Sequence, residues 1–251
     1  MYEMLHEFHP FGLIHLLASV TAVLAAITAV RRRRRLPSEA SRRHFDRQLI
    51  ALAILLLLVN VVSELLPQRF DVHRSLPVHV CDIVGLVAPL AILTQARLLR
   101  AILYYWGLGL STQALLTPEL QFGPASLTFW VFWVPHGMIV VLAVYDLAAL
   151  RYRPVWKDYL LAIGALAVFI SLIVPLNLWL GVNYAYVGQG VPGQPSVVDF
   201  LGPWPGRVFK LAVAVLIAFA LMTLPWVIAS RSRRPSTSDP QGDQAGAIAE
   251  P

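Results

Sequence analysis

One cysteine, two lysines and a charged fraction of only 14% are what this 251-residue chain has least of. A single cysteine excludes an internal disulfide framework and any metal centre that needs several thiolates, and it leaves the redox compartment undetermined. The scarcity of charge goes with 57% apolar residues, in runs that approach the roughly 20 residues needed to cross a bilayer. The chain reads as an integral membrane protein. Residues Met1 to Pro10 hold Glu3, His6, Glu7 and His9 but no basic stretch, and the apolar run behind them is too long for the core of a cleaved signal. The first helix is therefore expected to be retained. Eighteen arginines against two lysines, with abundant alanine, point to a GC-rich bacterial genome, and so to a multi-pass protein of the bacterial inner membrane.

The net charge of +6 does not imply nucleic acid, because of where it sits. Arg31 to Arg35, Arg42, Arg43 and Arg47 crowd one short loop directly after an apolar run, where membrane orientation is the simpler cause. Hydropathy predicts seven spans at 11–30, 48–66, 77–95, 98–116, 126–148, 158–180 and 207–229, an all-α seven-transmembrane-helix bundle. Sixteen of the twenty basic residues fall in the first, third and fifth connections and the tail, which puts the N-terminus outside and the C-terminus in the cytoplasm. Residues 1–229 then form one transmembrane domain, and 230–251, with almost nothing to bury, a disordered cytoplasmic tail. The long external connection from Gly181 to Gly206 holds Tyr184, Tyr186, Phe200 and Trp204. Such aromatics are expected first as interfacial anchors and second as a lid over an outward-facing site. The absence of an internal repeat disfavours a transporter built from inverted halves.

Placed by depth in this topology, the intramembrane polar residues collect toward the outer side. Cys81 comes about four residues, or roughly 6 Å, into span three, and His136 about ten residues, or roughly 15 Å, into span five. Asn60 and Glu64 fall one turn apart at the outer end of span two, and His15 near the outer end of span one. Gln113, Asn177 and Asn183 belong to the outer halves or mouths of spans four and six. Residues serving only helix packing would not favour one leaflet, so a polar cavity open to the outside is expected. Ionisable groups inside hydrocarbon are costly and tend to be retained for a task.

The chemistry centres on Leu76-Pro77-Val78-His79-Val80-Cys81-Asp82. A buried thiol is a weak nucleophile without a base or imidazolium beside it. His79 shares a helix face with Asp82, three residues on, and points away from Cys81. His136, flanked by Pro135 and Gly137, is the better geometric candidate, and a working pair requires Cys81 sulfur within about 3 to 5 Å of a His136 ring nitrogen. The depth difference of about 9 Å between the two must be removed by tilt or by a later helix start.

In order and spacing, several short motifs resemble the YwaF-like bacterial integral membrane proteins. They are Phe11 with His15, the 76–82 stretch, Tyr105-Trp106-Gly107, Gln113-Ala114-Leu115-Leu116-Thr117-Pro118, His136-Gly137, Pro175 with Asn177, Gly181 with Asn183-Tyr184, and Leu201-Gly202-Pro203-Trp204-Pro205. That family is similar to a eukaryotic transmembrane protein that moves acyl chains onto ether phospholipids through a cysteine and a histidine. The resemblance implies Cys81 and His136 as the matching pair. More distant membrane hydrolases of fatty-acid esters, which pair a threonine with a histidine, extend the expectation of acyl chemistry.

The leading expectation is an intramembrane acyltransferase or lipid hydrolase acting on phospholipid esters of the outer leaflet, with membrane lipids as partners and no cofactor. Cys81 would attack, His136 would carry the proton, and Asn60, Gln113 or Asn177 would steady the oxyanion. Asp82, Glu64 or His79 would orient the histidine or bind a headgroup, with Asn183, Tyr184, Trp204 and His15 in support. Two other classes compete. One is a noncatalytic transporter or receptor that binds a cation or protons through Glu64, Asp82 and His136. The other is a metal site drawn from His9, His15, His79, Glu64 and Asp82.

Overall fold

The computed structural model describes residues 6–190 and 197–231. Helix α1 (Leu13–Arg35) ends before Pro37, and Ser38 then starts α2 (Glu39–Leu65) by accepting a hydrogen bond from the Ser41 N–H at 3.1 Å. Proline cannot continue a helix and serine is a favoured N-cap, so three residues suffice for the reversal. Helix α3 (Val80–Thr94) is short and ends on Gln95 in the left-handed conformation. Next come α4 (Arg97–Ile102), a π-helical stretch (Leu103–Ser111) and α5 (Gln113–Leu116). Helix α6 (Leu127–Ala148) is capped by Ser126, α7 (Trp156–Leu180) ends on Gly181 at φ 69°, and α8 (Gly206–Arg231) follows two short 3₁₀ turns, Tyr184–Tyr186 and Val197–Leu201. Among the described residues, pairing of the β type is confined to one bridge between Glu7 and Phe122. The expected tail lies, beyond Arg231, outside the described residues.

The fold is a membrane helical bundle. Five helices, α1, α2, α6, α7 and α8, are long and apolar enough to cross a bilayer. Their outward faces carry exposed Leu16, Leu55, Leu172 and Leu221, a distribution suited to lipid rather than water. Helix α6 is the centre, packing against α1, α2, α3 and the π-helical stretch, while α7 and α8 close the other side.

The fourth predicted span is not one α-helix. Tyr104 and Tyr105 hydroxyls reach Met222 O at 2.9 Å and Thr223 Oγ1 at 2.7 Å on α8, and Trp106 Nε1 donates to Ala162 O of α7 at 3.1 Å. Three consecutive aromatics bound to two neighbouring helices require a widened turn, and π-helical geometry supplies it. At Gly107 an added Cβ would meet Ile139 at 3.3 Å and Val84 at 3.5 Å, so the missing side chain lets α6 and α3 come close.

The arginine-rich end is tied by ion pairs whose carboxylates are buried or half-buried. Arg33 grips Asp46 at 2.9 and 3.2 Å, and the Tyr145 hydroxyl donates to the same carboxylate. Arg97 forks onto buried Asp158 at 2.6 and 2.8 Å. Arg100 meets Asp146 at 2.8 and 3.0 Å, with its guanidinium over the Tyr152 ring. These pairs join α1, α2, α4, α6 and α7 at the end opposite the candidate site.

Candidate functional site

Helix α3 begins later than its apolar run suggests. Val78 is bent back on Leu76, His79 is the N-cap, and Val80 is the first helical residue. Cys81 therefore lies in the first turn of a helix, where unpaired backbone N–H groups and the helix dipole favour an anion. Asp82 stands at the third helical position and accepts the His79 backbone N–H at 2.9 Å. The expected partnership of His79 with Asp82 is thus made through the backbone, because His79 caps the helix instead of sharing its face. The His79 ring instead meets Tyr184 edge-on, with centroids 4.7 Å apart.

His136 sits after Pro135 in α6. Proline has no N–H to give the preceding turn, which loosens the carbonyl ladder there. His136 Nδ1 bonds to Phe132 O at 2.6 Å. A carbonyl can only accept, so Nδ1 carries the proton and Nε2 is left as the basic nitrogen. That is the tautomer a proton acceptor needs.

Cys81, Asp82, His136 and Asn60 line one cavity of about 30 Å³ between α2, α3 and α6. Gly85, Met138 and Ile139 complete much of its wall. A space of this size holds about one or two waters. Cys81 and His136, expected about 9 Å apart in depth, both border this space. With 15 residues, α3 is only about 22 Å long, less than the roughly 30 Å of hydrocarbon.

Above the start of α3 lies a roof made by residues 181–190 and 197–205. Asn177, buried near the end of α7, donates to Tyr184 O and accepts from Tyr184 N–H, both at 2.9 Å. The Tyr184 hydroxyl donates to Val72 O at 2.6 Å and accepts the Leu76 N–H at 3.0 Å, which ties the roof to the segment that leads into Cys81. Asn183 Oδ1 accepts the Gly188 N–H at 2.9 Å, and Trp204 Nε1 donates to Val187 O at 3.1 Å. Gly188 has no room for a side chain, because a Cβ would meet Val182 O at 2.2 Å. Tyr184 is fully buried, so its expected role as an interfacial anchor gives way to internal bracing. Phe200, 93% exposed, keeps the exposure an anchor needs.

Sequence reasoning missed the role of Arg207 and placed Tyr186 only among the loop aromatics expected as anchors or as a lid. Arg207, counted only as an external basic residue, is buried, pairs with Asp199 and donates to Gly188 O at 2.8 Å. Tyr186 follows Ala185, and both have left-handed φ, 61° and 54°. Such backbone is strained outside glycine. Burial, then nearby Glu119, then Cys81, push the Tyr186 hydroxyl above its usual range. No local sequence signal marks Arg207 as buried, since its role comes from Asp199 and Gly188.

The other candidates lie outside the cavity lining. Glu64 is paired with Arg69 at 3.0 Å, which satisfies the carboxylate that a cation site would need. Both nitrogens of His15 are used by backbone: Nδ1 accepts from Phe11 N–H at 2.8 Å and Nε2 donates to Leu115 O at 2.7 Å. Gln113 donates to Thr117 Oγ1 at 2.7 Å. Of the three amides expected to face an oxyanion, only Asn60 borders the cavity; Asn177 is committed to Tyr184. Among the described residues no three His, Cys, Asp or Glu side chains gather where they could hold a metal ion.

Residues 3–223 match the model of the TMEM164 family. The chain is also similar to an uncharacterized protein of Treponema pallidum (strain Nichols), 25% identical over 179 residues that cover 71% of this chain and 74% of the relative. No solved structure matches it.

Proposed function

Since the chain belongs to the TMEM164 family, and since a thiol and a basic imidazole border one cavity, we propose that it is an intramembrane lipid acyltransferase or hydrolase with Cys81 as nucleophile and His136 as its base. The observation that carries this reading is the His136 Nδ1 bond to Phe132 O, which leaves Nε2 as the basic nitrogen. Cys81 Sγ attacks the carbonyl carbon of a phospholipid ester while Nε2 takes the thiol proton. The negative charge on the carbonyl oxygen is steadied by the Asn60 amide. Collapse breaks the ester C–O bond, the imidazolium returns its proton to the departing alkoxide, and a thioester remains on Cys81. A lysolipid hydroxyl, or water in the hydrolytic case, then attacks the thioester and gives its proton to Nε2. The departing Cys81 thiolate takes that proton back.

The helix start at Cys81 supports the attacking step, because dipole and N–H groups oppose the cost of a thiolate in apolar surroundings. On this reading the bundle crosses the membrane seven times with its N-terminus outside, and the cavity takes lipid sideways from the outer leaflet. The host membrane on this reading is the bacterial inner membrane, with which the Treponema relative is in keeping. Cysteine labelling from either side tests the topology. The reaction is tested by reconstituting the full chain with a phospholipid labelled in its acyl chain and an unlabelled lysolipid. Label should appear in the lysolipid, or as free fatty acid, with wild type and not with Cys81→Ala; equal release by both sinks the proposal.

A further inference from the structure

The net charge of the chain is concentrated at one turn. Between Arg31 and Gln48 eight arginines face two carboxylates, a surplus equal to the +6 of the whole sequence. Both carboxylates are engaged, Asp46 by Arg33 and Tyr145, and Glu39 by Arg42 at 3.6 Å. Arg31, Arg32, Arg35, Arg43 and Arg47 are exposed and, among the described residues, lack a carboxylate partner. Helices α1 and α2 each pack on α6 more than on one another. They leave an open groove of about 460 Å³ walled by Arg32 and Leu36 on one side and Ser41, His44, Phe45 and Gln48 on the other. The last four are spaced so as to share one face of α2. The Arg32 guanidinium stands 5.2 Å above the Phe45 ring, an arrangement that holds its charge over the groove.

We propose that this groove binds the headgroup phosphate of an anionic phospholipid in the leaflet that faces the α1–α2 turn. The charge is complementary, and the hydroxyl, imidazole and amide of Ser41, His44 and Gln48 suit phosphate and glycerol oxygens. A lipid fits better than a soluble phosphate ester, because the same helices next expose Leu24, Ile27, Leu52 and Leu55, along which acyl chains lie. The groove is distinct from the Cys81 cavity: Ser41 and Asn60 are nineteen residues apart on α2, roughly 28 Å.

The test is native mass spectrometry of the full chain titrated separately with phosphatidylglycerol, phosphatidylcholine and soluble glycerol phosphate. Phosphatidylglycerol should bind at least about tenfold more tightly than either of the others. Arg32→Gln should weaken it about fivefold, as expected for one basic residue at an anionic surface, and Gln48→Glu should weaken it at least as much by setting a carboxylate in the groove. Lys157→Gln, exposed and outside the groove, should leave it unchanged. Equal binding of the two lipids, equal losses in Arg32→Gln and Lys157→Gln, or glycerol phosphate binding as tightly as the lipid would each overturn the proposal.

Discussion

Asn177 holds Tyr184 by both edges of its backbone, donating to the carbonyl and accepting from the N–H, each at 2.9 Å. The clamp joins the end of α7 to the roof, and the Tyr184 hydroxyl carries the connection on to Val72 and Leu76. Asn177→Leu removes both bonds and leaves two buried backbone groups unpaired, so a loss of about 2–4 kcal/mol is expected in denaturant or thermal unfolding of the detergent-solubilised protein. Tyr184→Phe should cost less, about 1–2 kcal/mol. Both variants should also label faster at Cys81 with a membrane-permeant maleimide, since they loosen the segment that starts α3. Unchanged stability and labelling in Asn177→Leu would remove the roof from the account.

At the opposite end, Arg100 and Asp146 form a pair in which both side chains are largely buried, 13% and 2% exposed. Arg100→Gln strands a buried carboxylate and should cost about 3–5 kcal/mol. Replacing both, Arg100→Met with Asp146→Leu, should cost less than the single change, because it abandons no charge. A double-mutant cycle on unfolding free energies measures this, and additive effects would contradict it.

Tyr186 gives a pH dependence. Burial and the neighbouring Glu119 and Cys81 raise its folded pKa above the ordinary tyrosine value of about 10. The unfolded chain thus loses the proton first. Its contribution to stability is complete below about pH 10 and declines as pH rises from there toward the folded value. Unfolding followed from pH 8 to pH 11 should show a steeper loss for wild type than for Tyr186→Phe, and parallel curves would count against the burial of this hydroxyl.

The apolar runs located the helices because hydrocarbon length and backbone satisfaction leave little else possible. Thus the run at 126–148 corresponds to Leu127–Ala148 and that at 158–180 to Trp156–Leu180. Hydropathy could not register the π-helical turn, which arises from hydrogen bonds of Tyr104, Tyr105 and Trp106 to helices far along the chain. Counting along the helices put Cys81, Asp82, His136 and Asn60 toward one side of the membrane but left about 9 Å of depth between Cys81 and His136; that the four line one cavity is seen only in the folded chain. The start of α3 at Val80 was hidden, because Pro77 invited an earlier start and a histidine N-cap gives a weak signal. The roof was illegible for the opposite reason: its glycines and prolines read as loop, while its order comes from partners such as Tyr184 and Val72, which are 112 residues apart.

If Cys81 is the nucleophile, it becomes acylated, and His136 drives the step. Incubating the full chain in membranes with an alkyne-tagged phospholipid, then clicking a reporter onto the protein, measures that directly. Wild type is predicted to carry a hydroxylamine-labile adduct on Cys81. Cys81→Ser is predicted to lose nearly all turnover while remaining folded, and His136→Gln to form the adduct about 10²- to 10⁴-fold more slowly. Acyl transfer that continues undiminished in Cys81→Ala, or an adduct that forms at the wild-type rate in His136→Gln, would contradict it.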